Sequence, residues 1–347
     1  MKEDPAPMEA PFDPDGPAAD DSGIYGLPHD ANEARVHVLG VPFDATTSYR
    51  KGAAHGPSAV FAASKQVDLF DLEFDSPYRA GIHMLPIDPH VEELNSEATE
   101  CVRSGTEQAR VNAIGAELNG IVHARSQASL SADKLLAILG GDHSVPFGAI
   151  QACAEQHPGL GILHFDAHAD LREAYDGCIW SHASIMFNVL DRIDGVSKLV
   201  QCGIRDLSGS EHERIQSSER IHTLFDRDWQ RTASDGLSLR ELVRRTLDPL
   251  PEEVWVSFDI DGLDPALCPN TGTPVPGGFD WHATMLWLEE LASSGRRIVG
   301  LDLTEVSPGP AGDPAGEGWD AIVGARLLYK LIGAALISRD ATISRPH

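Results

Sequence analysis

The chain has 347 residues, long enough for one large α/β domain or two smaller ones. Hydrophobic residues make up 42% and charged residues 23%, which is ordinary for a globular protein with a buried core. The 27 basic and 53 acidic residues give a net charge of −26. Such a charge argues against nucleic acid and anionic membranes as partners and favours small cations, although it also suits a surface adapted for solubility in a salty cytoplasm.

The cysteines and the N-terminus indicate a cellular compartment. Five scattered cysteines form no CxxC pair, which argues against a disulfide framework and a thiolate zinc site and indicates buried thiols in a reducing compartment. The N-terminus has no basic segment followed by an apolar one, and no apolar run approaches the roughly 18 residues of a membrane span. The sequence therefore predicts a cytoplasmic protein without a membrane segment.

The elements alternate along the chain after an unusual start. Residues 1–34 are acidic and proline-rich, with little to bury, and predict a flexible or surface-draped extension. Residues 35–347 predict a single domain, with helices from Glu93 to about Leu118 and from Asp320 to about Leu336. Continuous apolar strands between helices predict a parallel sheet covered on both faces, with strands at 36–41, 135–139, 161–165, 198–204, 254–258 and 297–303.

A first polar motif, GGDHS at 140–144, directly follows an apolar strand. Its glycines allow a sharp turn that brings His143 to the carboxyl edge of the sheet, where α/β proteins bind ligands. A histidine in such a turn is often only hydrogen-bonded to backbone, so the motif alone is a weak signal. The chain has no GxGxxG or GxxxxGK[ST] motif, and a phosphate cradle is therefore not supported.

A second motif, HFDAHAD at 164–170, again ends a strand. Asp166, His168 and Asp170 are spaced by two, so their side chains leave an extended segment on the same side. Burying these carboxylates together without a cation would be costly, which favours a divalent metal over a solvated acidic turn.

The third motif is SFDIDGLDP at 257–265, in which Asp259 and Asp261 repeat the same spacing. It does not fit an EF-hand loop, because glycine comes at the fourth position and Asn270 stands where a bidentate Glu is needed. The six candidate ligands are His143, Asp166, His168, Asp170, Asp259 and Asp261. Six oxygen and nitrogen donors exceed the usual four of zinc and suit two divalent ions, Mn²⁺ or Ni²⁺, which can jointly activate a water.

These three motifs, in this order and spacing, resemble the ureohydrolase family of arginases and agmatinases. The resemblance runs from about Val36 to Leu336 and includes GVPFDATTSYRKGAAHGP (40–57), GTPVPGG (272–278) and LDLTEVSP (301–308). It implies a three-layer α/β/α sandwich, a homo-oligomer (trimer or hexamer) and a binuclear metal centre. It assigns His143, Asp166, Asp170 and Asp259 to one ion, and Asp166, His168, Asp259 and Asp261 to the other.

The resemblance also implies three catalytic roles. His182, in WSHAS, matches a histidine that shuttles protons to the leaving group, and Glu305, in LTEVSP, matches a carboxylate that pairs with the substrate guanidinium. Asp170 is expected to hydrogen-bond the attacking hydroxide as well as a metal. By residue type alone, His182 equally suits simple hydrogen bonding, and Glu305 equally suits a surface or helix-capping acid.

Several segments resemble the branch that hydrolyses free guanidine, among them SKQVDLFD (64–71), SHASIMFNVL (181–190) and LCPNTGTPVPGG (267–278). Arg172 followed by Glu173 disfavours arginine, since arginases carry an asparagine-type anchor there. The remaining alternatives are a hydrolase of methylated guanidines, an agmatinase, a guanidino-acid hydrolase, or a non-catalytic partner subunit of a ureohydrolase. Deacetylases of the same fold are disfavoured because the chain has no adjacent pair of histidines.

Overall fold

A computed structural model of the protein describes residues 12–105, 107–309 and 311–339. These residues form one sheet with the strand order β2-β1-β3-β8-β7-β4-β5-β6, and all neighbouring strands are parallel. The strands are Val36–Val41 (β1), Ile82–Leu85 (β2), Leu135–Gly140 (β3), Leu160–Phe165 (β4), Val196–Ile204 (β5), Ile221–Phe225 (β6), Glu253–Asp259 (β7) and Arg297–Thr304 (β8).

Helices cover both faces of this sheet. They are Gly56–Ser64 (α1), Pro89–Ser104 (α2), Gln108–Ser131 (α3), Phe147–Gln156 (α4), Ile185–Arg192 (α5), Gly209–Ser217 (α6), Asp226–Ser234 (α7), Leu239–Leu247 (α8), Trp281–Ser293 (α9) and Trp319–Arg339 (α10). On β1, Val36 and Val38 pack into a core shared with α1, α9 and α10, whereas Leu39 and Val41 pack into a second core with α3 and α4. Because both faces are covered, most residues of the strands are apolar, and the arrangement confirms the predicted α/β/α sandwich.

Two element predictions need correction. The short strands β2 and β6 were not predicted, because they lie at the sheet edges and are only partly buried. The single helix predicted from Glu93 to Leu118 is wrong, since α2 ends at Ser104 and α3 begins at Gln108. The residue that caps α2, Gly105, adopts the left-handed conformation (φ 66°). The predicted strands at the other six positions and the helix from Asp320 are confirmed.

The N-terminal extension is partly built into the core. Ile24, Tyr25 and Leu27 are at most 2% exposed, so the expectation that this segment has little to bury is wrong there. The Tyr25 amide donates to Ser64 Oγ at 2.8 Å, and its hydroxyl donates to the Ala325 carbonyl at 3.0 Å. Residues 1–11 of the predicted extension and 340–347 of the predicted domain lie outside the described residues, and the boundary at residue 34 stays a prediction.

The helix α10 is long and apolar enough to span a membrane by length and composition alone. However, 72% of its apolar window is buried inside the protein, where it packs against α1, α9 and β8. Burial of this kind is typical of the central helix of a globular core.

The strand order decides where polar groups meet. The four central neighbours β3, β8, β7 and β4 are far apart in sequence but end at the same edge of the sheet. The residues at or just after these ends are His143, Glu305, Asp259 and Asp166. Four separate chain segments therefore deliver polar side chains to one place.

Candidate metal centre and active site

All six predicted ligands lie in one cluster, and His143 is at its centre. The His143 Nδ1 atom lies 3.1 Å from Asp166 Oδ2, 3.1 Å from Asp170 Oδ2 and 3.4 Å from Asp259 Oδ2. All four side chains are buried, with exposed fractions of at most 6%. Three carboxylates therefore surround one imidazole nitrogen with almost no access to solvent.

A second group adjoins the first through Asp166. The His168 Nδ1 atom lies 3.1 Å from Asp261 Oδ2 and 3.3 Å from Asp166 Oδ1. The two oxygens of Asp166 therefore face different groups, Oδ2 towards His143 and Oδ1 towards His168. A carboxylate shared in this way suits a pair of ions rather than a single one.

The local backbone that brings these groups together differs from the extended segments assumed from the sequence. Asp259 is the last residue of β7, but Asp261 lies in a short 3₁₀ turn, and Asp259 Oδ1 accepts the Asp261 amide at 2.8 Å. Asp170 adopts φ 52° and Glu305 φ 59°, left-handed conformations that are unfavourable for residues other than glycine. Such strain concentrates at functional sites, where the surrounding structure holds it in place.

Burial and mutual repulsion make this cluster electrostatically unfavourable on its own. Burial, followed by the charge on Asp166, raises the pKa of Asp170 to about 7. Burial and the charges on Asp261 and Asp166 also raise the pKa of Asp259 well above its usual range. Burial disfavours the charged form of His143, yet the surrounding carboxylates raise its pKa well above the usual value. Without a cation, the cluster therefore has to take up protons.

Divalent metal ions fit this donor set. The cluster offers carboxylate oxygens and imidazole nitrogens but no thiolate. In each of two groups, the candidate ligand atoms all lie within 4.8 Å of one another. The first group is His143, His164, Asp166 and Asp170, and the second is Asp166, His168 and Asp261. Oxygen and nitrogen donors of this kind suit Mn²⁺ and Ni²⁺. A cation at this position would replace the protons that the carboxylates otherwise need.

Glu305 and His182 lie together at the edge of the cluster. Glu305 Oε1 accepts the His143 amide at 3.0 Å and lies 3.3 Å from His182 Nδ1. The Ser48 amide donates to His182 Nε2 at 3.2 Å, so the proton of a neutral His182 lies on Nδ1, facing Glu305. Glu305 Oε2 is buried and has no hydrogen-bond partner among the described residues, which leaves one carboxylate oxygen for a ligand.

A cavity of about 200 Å³ opens onto the cluster and is lined by His168, Asp170 and His182 together with Ser48, Arg172, Tyr175, Asp206, Glu211 and Thr273. A larger cavity of about 760 Å³ lies elsewhere, between α1 and residues 311–315. Its larger volume does not identify this cavity as the active site, because the described residues that line it include no cluster of metal-binding groups. The smaller cavity gives a small molecule access to the candidate metal-binding and catalytic side chains.

Sequence reasoning did not select His164 as part of this site. It lies on β4, is fully buried, and its Nε2 atom is 2.8 Å from Asp166 Oδ2. A polar residue inside an otherwise apolar strand was the available signal. Its meaning depended on the position of Asp166, which lies beyond the end of the strand.

A parallel sheet with buried carboxylates and imidazoles at its carboxyl edge indicates a class, the α/β proteins that bind divalent metal ions. Comparison with known proteins narrows this class. A family model described as the Arginase family matches residues 34–333. The N(1)-aminopropylagmatine ureohydrolase of Thermus thermophilus is 35% identical over 302 residues, 87% of this chain and 90% of that protein.

Two further relatives agree. The agmatinase of Bacillus cereus is 32% identical over 282 residues, 80% of this chain and 84% of that protein. The solved structure of proclavaminate amidino hydrolase from Streptomyces clavuligerus is 25% identical, with a TM-score of 0.69 over 93% of this chain and 100% of that one.

The chain belongs to the Arginase family. Members of this family are metal-dependent enzymes with a binuclear divalent centre, and they hydrolyse C–N bonds of guanidino compounds. The chain is accordingly a ureohydrolase. The resemblance found in the sequence is confirmed at the level of the family.

Proposed function

We propose that this ureohydrolase hydrolyses free guanidine, converting guanidinium and water to urea and ammonium. The observation that carries the proposal is Glu305 Oε2, a buried carboxylate oxygen without a partner among the described residues. A guanidinium N–H is the natural donor to such an oxygen, because charge-assisted hydrogen bonds between these groups are strong and directional. Asp170 and His182 line the adjoining cavity of about 200 Å³.

The surroundings of Glu305 support a small substrate. A Cβ atom added to Gly272 would lie 3.2 Å from Glu305 Oε2 and 2.9 Å from Thr47 Cγ2, so backbone and side chains already approach this oxygen closely. The Thr47 hydroxyl is also buried without a partner among the described residues. A planar cation with several N–H donors would satisfy polar atoms of this kind at close range.

In the proposed mechanism, His143, Asp166, Asp170 and Asp259 would hold one divalent ion, and Asp166, His168, Asp259 and Asp261 the other. When bound, the two ions supply Lewis acidity and lower the pKa of water towards neutrality. Glu305 Oε2 orients the guanidinium carbon, while His182 Nδ1 and the His143 amide hold Glu305 Oε1 in place. Asp170 carries the proton from the attacking water to the departing nitrogen, and His182 is a second proton donor to the leaving group.

Guanidines with an amine tail are the second candidate substrate class. The names of the relatives from Thermus thermophilus and Bacillus cereus refer to aminopropylagmatine and agmatine. Asp206 lines the cavity and suits a cationic tail. A guanidino acid is a third candidate, for which Arg172 in the same cavity is the complementary charge.

The proposal extends to the compartment, the assembly and the metal of the enzyme. The five buried free cysteines support a reducing compartment such as the cytoplasm. The resemblance found in the sequence supports a homo-oligomer, either a trimer or a hexamer. The donor set accepts both Mn²⁺ and Ni²⁺.

Urea release by purified protein loaded separately with Mn²⁺ and Ni²⁺ tests the substrate. The panel comprises guanidine, methylguanidine, agmatine, 4-guanidinobutyrate and arginine. We expect turnover of guanidine with little on the longer compounds. A higher kcat/KM for agmatine or guanidinobutyrate than for guanidine would overturn the proposed substrate.

A further inference from the structure

Below the metal cluster, five polar residues occupy one register row across five neighbouring strands. The register partners are Thr223 with Gln201, Gln201 with His164, His164 with Ser257, and Ser257 with Asp302. We call these five residues the polar row. Four of them are completely buried (Gln201, His164, Ser257 and Asp302), although their direct neighbours in the strands are apolar. Buried polar side chains need hydrogen-bond partners, and here they find them in one another and in the cluster above.

One arm of the polar row ends on Asp166. Gln201 Nε2 donates to the Ala169 carbonyl at 2.8 Å, and because a carbonyl can only accept, this contact fixes the orientation of the amide. The same nitrogen lies 3.0 Å from His164 Nδ1, which therefore accepts, while the Thr223 hydroxyl donates to Gln201 Oε1 at 3.1 Å. The proton of His164 consequently lies on Nε2 and points at Asp166 Oδ2, 2.8 Å away.

The other arm ends on His143. The Ser257 hydroxyl donates to Asp302 Oδ1 at 3.0 Å, so its oxygen accepts from His143 Nε2, 2.9 Å away. Asp302 is held in turn by Trp255 Nε1, which donates to Oδ2 at 2.6 Å, and by the Phe258 amide, which donates to Oδ1 at 3.2 Å. With its proton on Nε2, His143 presents the lone pair of Nδ1 to the three carboxylates of the cluster.

We infer that the polar row fixes one tautomer on each histidine, with His143 Nδ1 free to bind a metal and His164 Nε2–H donating to Asp166 Oδ2. His164 is thereby a positioning residue and not a ligand, although its Nε2 lies within ligand distance of the same cluster. The inference rests on the proposed metal site. Partners that orient metal ligands commonly contribute tenfold to hundredfold in metal affinity.

Nitrogen-15 spectra of histidine side chains in the Mn-free protein loaded with diamagnetic Zn²⁺ test the tautomers directly. A His164→Gln sample identifies the His164 signals. We expect a protonated Nε2 and an unprotonated Nδ1 for His164, a pattern that a purely space-filling role would not require. A His164 Nε2 that carries no proton, or one that binds the metal, would overturn the inference.

Two variants test the effect on metal binding. Ser257→Ala leaves the His143 Nε2–H without its acceptor, and Gln201→Met removes the donor that fixes His164. We expect each to weaken Mn²⁺ binding by about 10-fold to 100-fold, measured by calorimetry on the full chain. Ser126→Ala is the matched control, since Ser126 is a buried serine on α3 outside the polar row. The Mn²⁺ affinity of this variant should equal that of the wild type.

Wild-type Mn²⁺ affinity in both variants would overturn the inference. This outcome is separate from a failure of the proposed function. A wrong substrate shows as missing urea release from guanidine by the wild-type protein, whereas the row is judged from tautomers and metal affinity alone. A wild-type chain that binds no divalent metal would overturn the metal site and, with it, this inference.

Discussion

The backbone N–H of His143 donates to Glu305 Oε1 at 3.0 Å, a contact that joins the end of β3 to the end of β8. One residue proposed to bind metal therefore helps to orient the residue proposed to bind substrate. Because His182 occupies the same Oε1 atom, the substrate side of Glu305 is left to Oε2. In the proposed mechanism, the centre of the sheet would therefore set the relative positions of the metal ions and the guanidinium.

Glu305→Gln should replace the acceptor that faces the substrate, Oε2, by a donor. The glutamine oxygen would stay with the donors of His143 and His182, and its NH₂ group would face the N–H groups of the substrate. We expect kcat/KM to fall by at least about 100-fold, with the metal content unchanged. Glu290→Gln is the control, because Glu290 is equally buried but pairs with Arg240 and Arg244 away from the cluster. Near-normal kcat/KM in Glu305→Gln would contradict the proposed role.

Asp259→Asn removes a charge that the proposal shares between both ions. We expect less than two metal ions per chain and a loss of urea release greater than about 100-fold, since losing a ligand should exceed the effect of losing an outer contact. Metal analysis and the urea assay provide the two measurements. Asp264→Asn serves as the control, because Asp264 caps the following turn by accepting the Ala266 amide at 2.8 Å. Full metal content and turnover in Asp259→Asn would rule out a binuclear centre at this position.

Removal of the metal should lower the thermal stability of the protein. The buried carboxylates of Asp166, Asp170 and Asp259 face one another across His143, and a bound cation offsets their repulsion. A metal at 100 times its Kd adds about 2.7 kcal/mol to the free energy of unfolding. We therefore expect a chelator to lower Tm by about 5 °C or more, and added Mn²⁺ to restore it. Equal Tm values with and without metal would argue against binding to the folded state.

The cysteines should be inert in the native protein. All five are buried, and burial, followed by the charge on Glu253, raises the pKa of the Cys153 thiol to about 12. Since the thiolate is the reactive form, a thiol reagent at neutral pH should label the folded chain slowly and the denatured chain rapidly. Rapid labelling of a native cysteine would show that the region around it opens in solution.

That the six candidate ligands lie together could be predicted from the sequence, because each motif follows an apolar strand. Asp166 and Asp259 are adjacent to such strands, and the carboxyl ends of parallel strands share one edge. Ser257 and Asp302 were beyond this reasoning, although both stand within strands that were predicted correctly. Their connection requires the register of β7 against β8 and the position of His143 above them, which involves long-range contacts that no local pattern encodes. The end of α2 before Gly105 was missed for a local reason, because this glycine was taken as part of a continuous helical pattern.

Gly272 offers a test of how closely the substrate site is enclosed. A Cβ added to Gly272 would lie 2.9 Å from Thr47 Cγ2 and 3.2 Å from Glu305 Oε2. Gly272→Ala should therefore displace Glu305 Oε2 by a few tenths of an ångström and occupy space beside the guanidinium. We expect kcat/KM to fall by about tenfold or more with little change in metal content, because small displacements of a positioning group are costly in catalysis.

Gly120→Ala is the matched control for this substitution. Gly120 lies on α3 with no atom within 4 Å of the position of its Cβ, so the alanine should leave kcat/KM unchanged and modestly raise stability through helix propensity. Steady-state kinetics with guanidine and Mn²⁺-loaded protein measure both variants side by side. If Gly272→Ala retained wild-type kcat/KM, the substrate would have to bind away from Glu305, and the cavity beyond His182 would become the place to look for it.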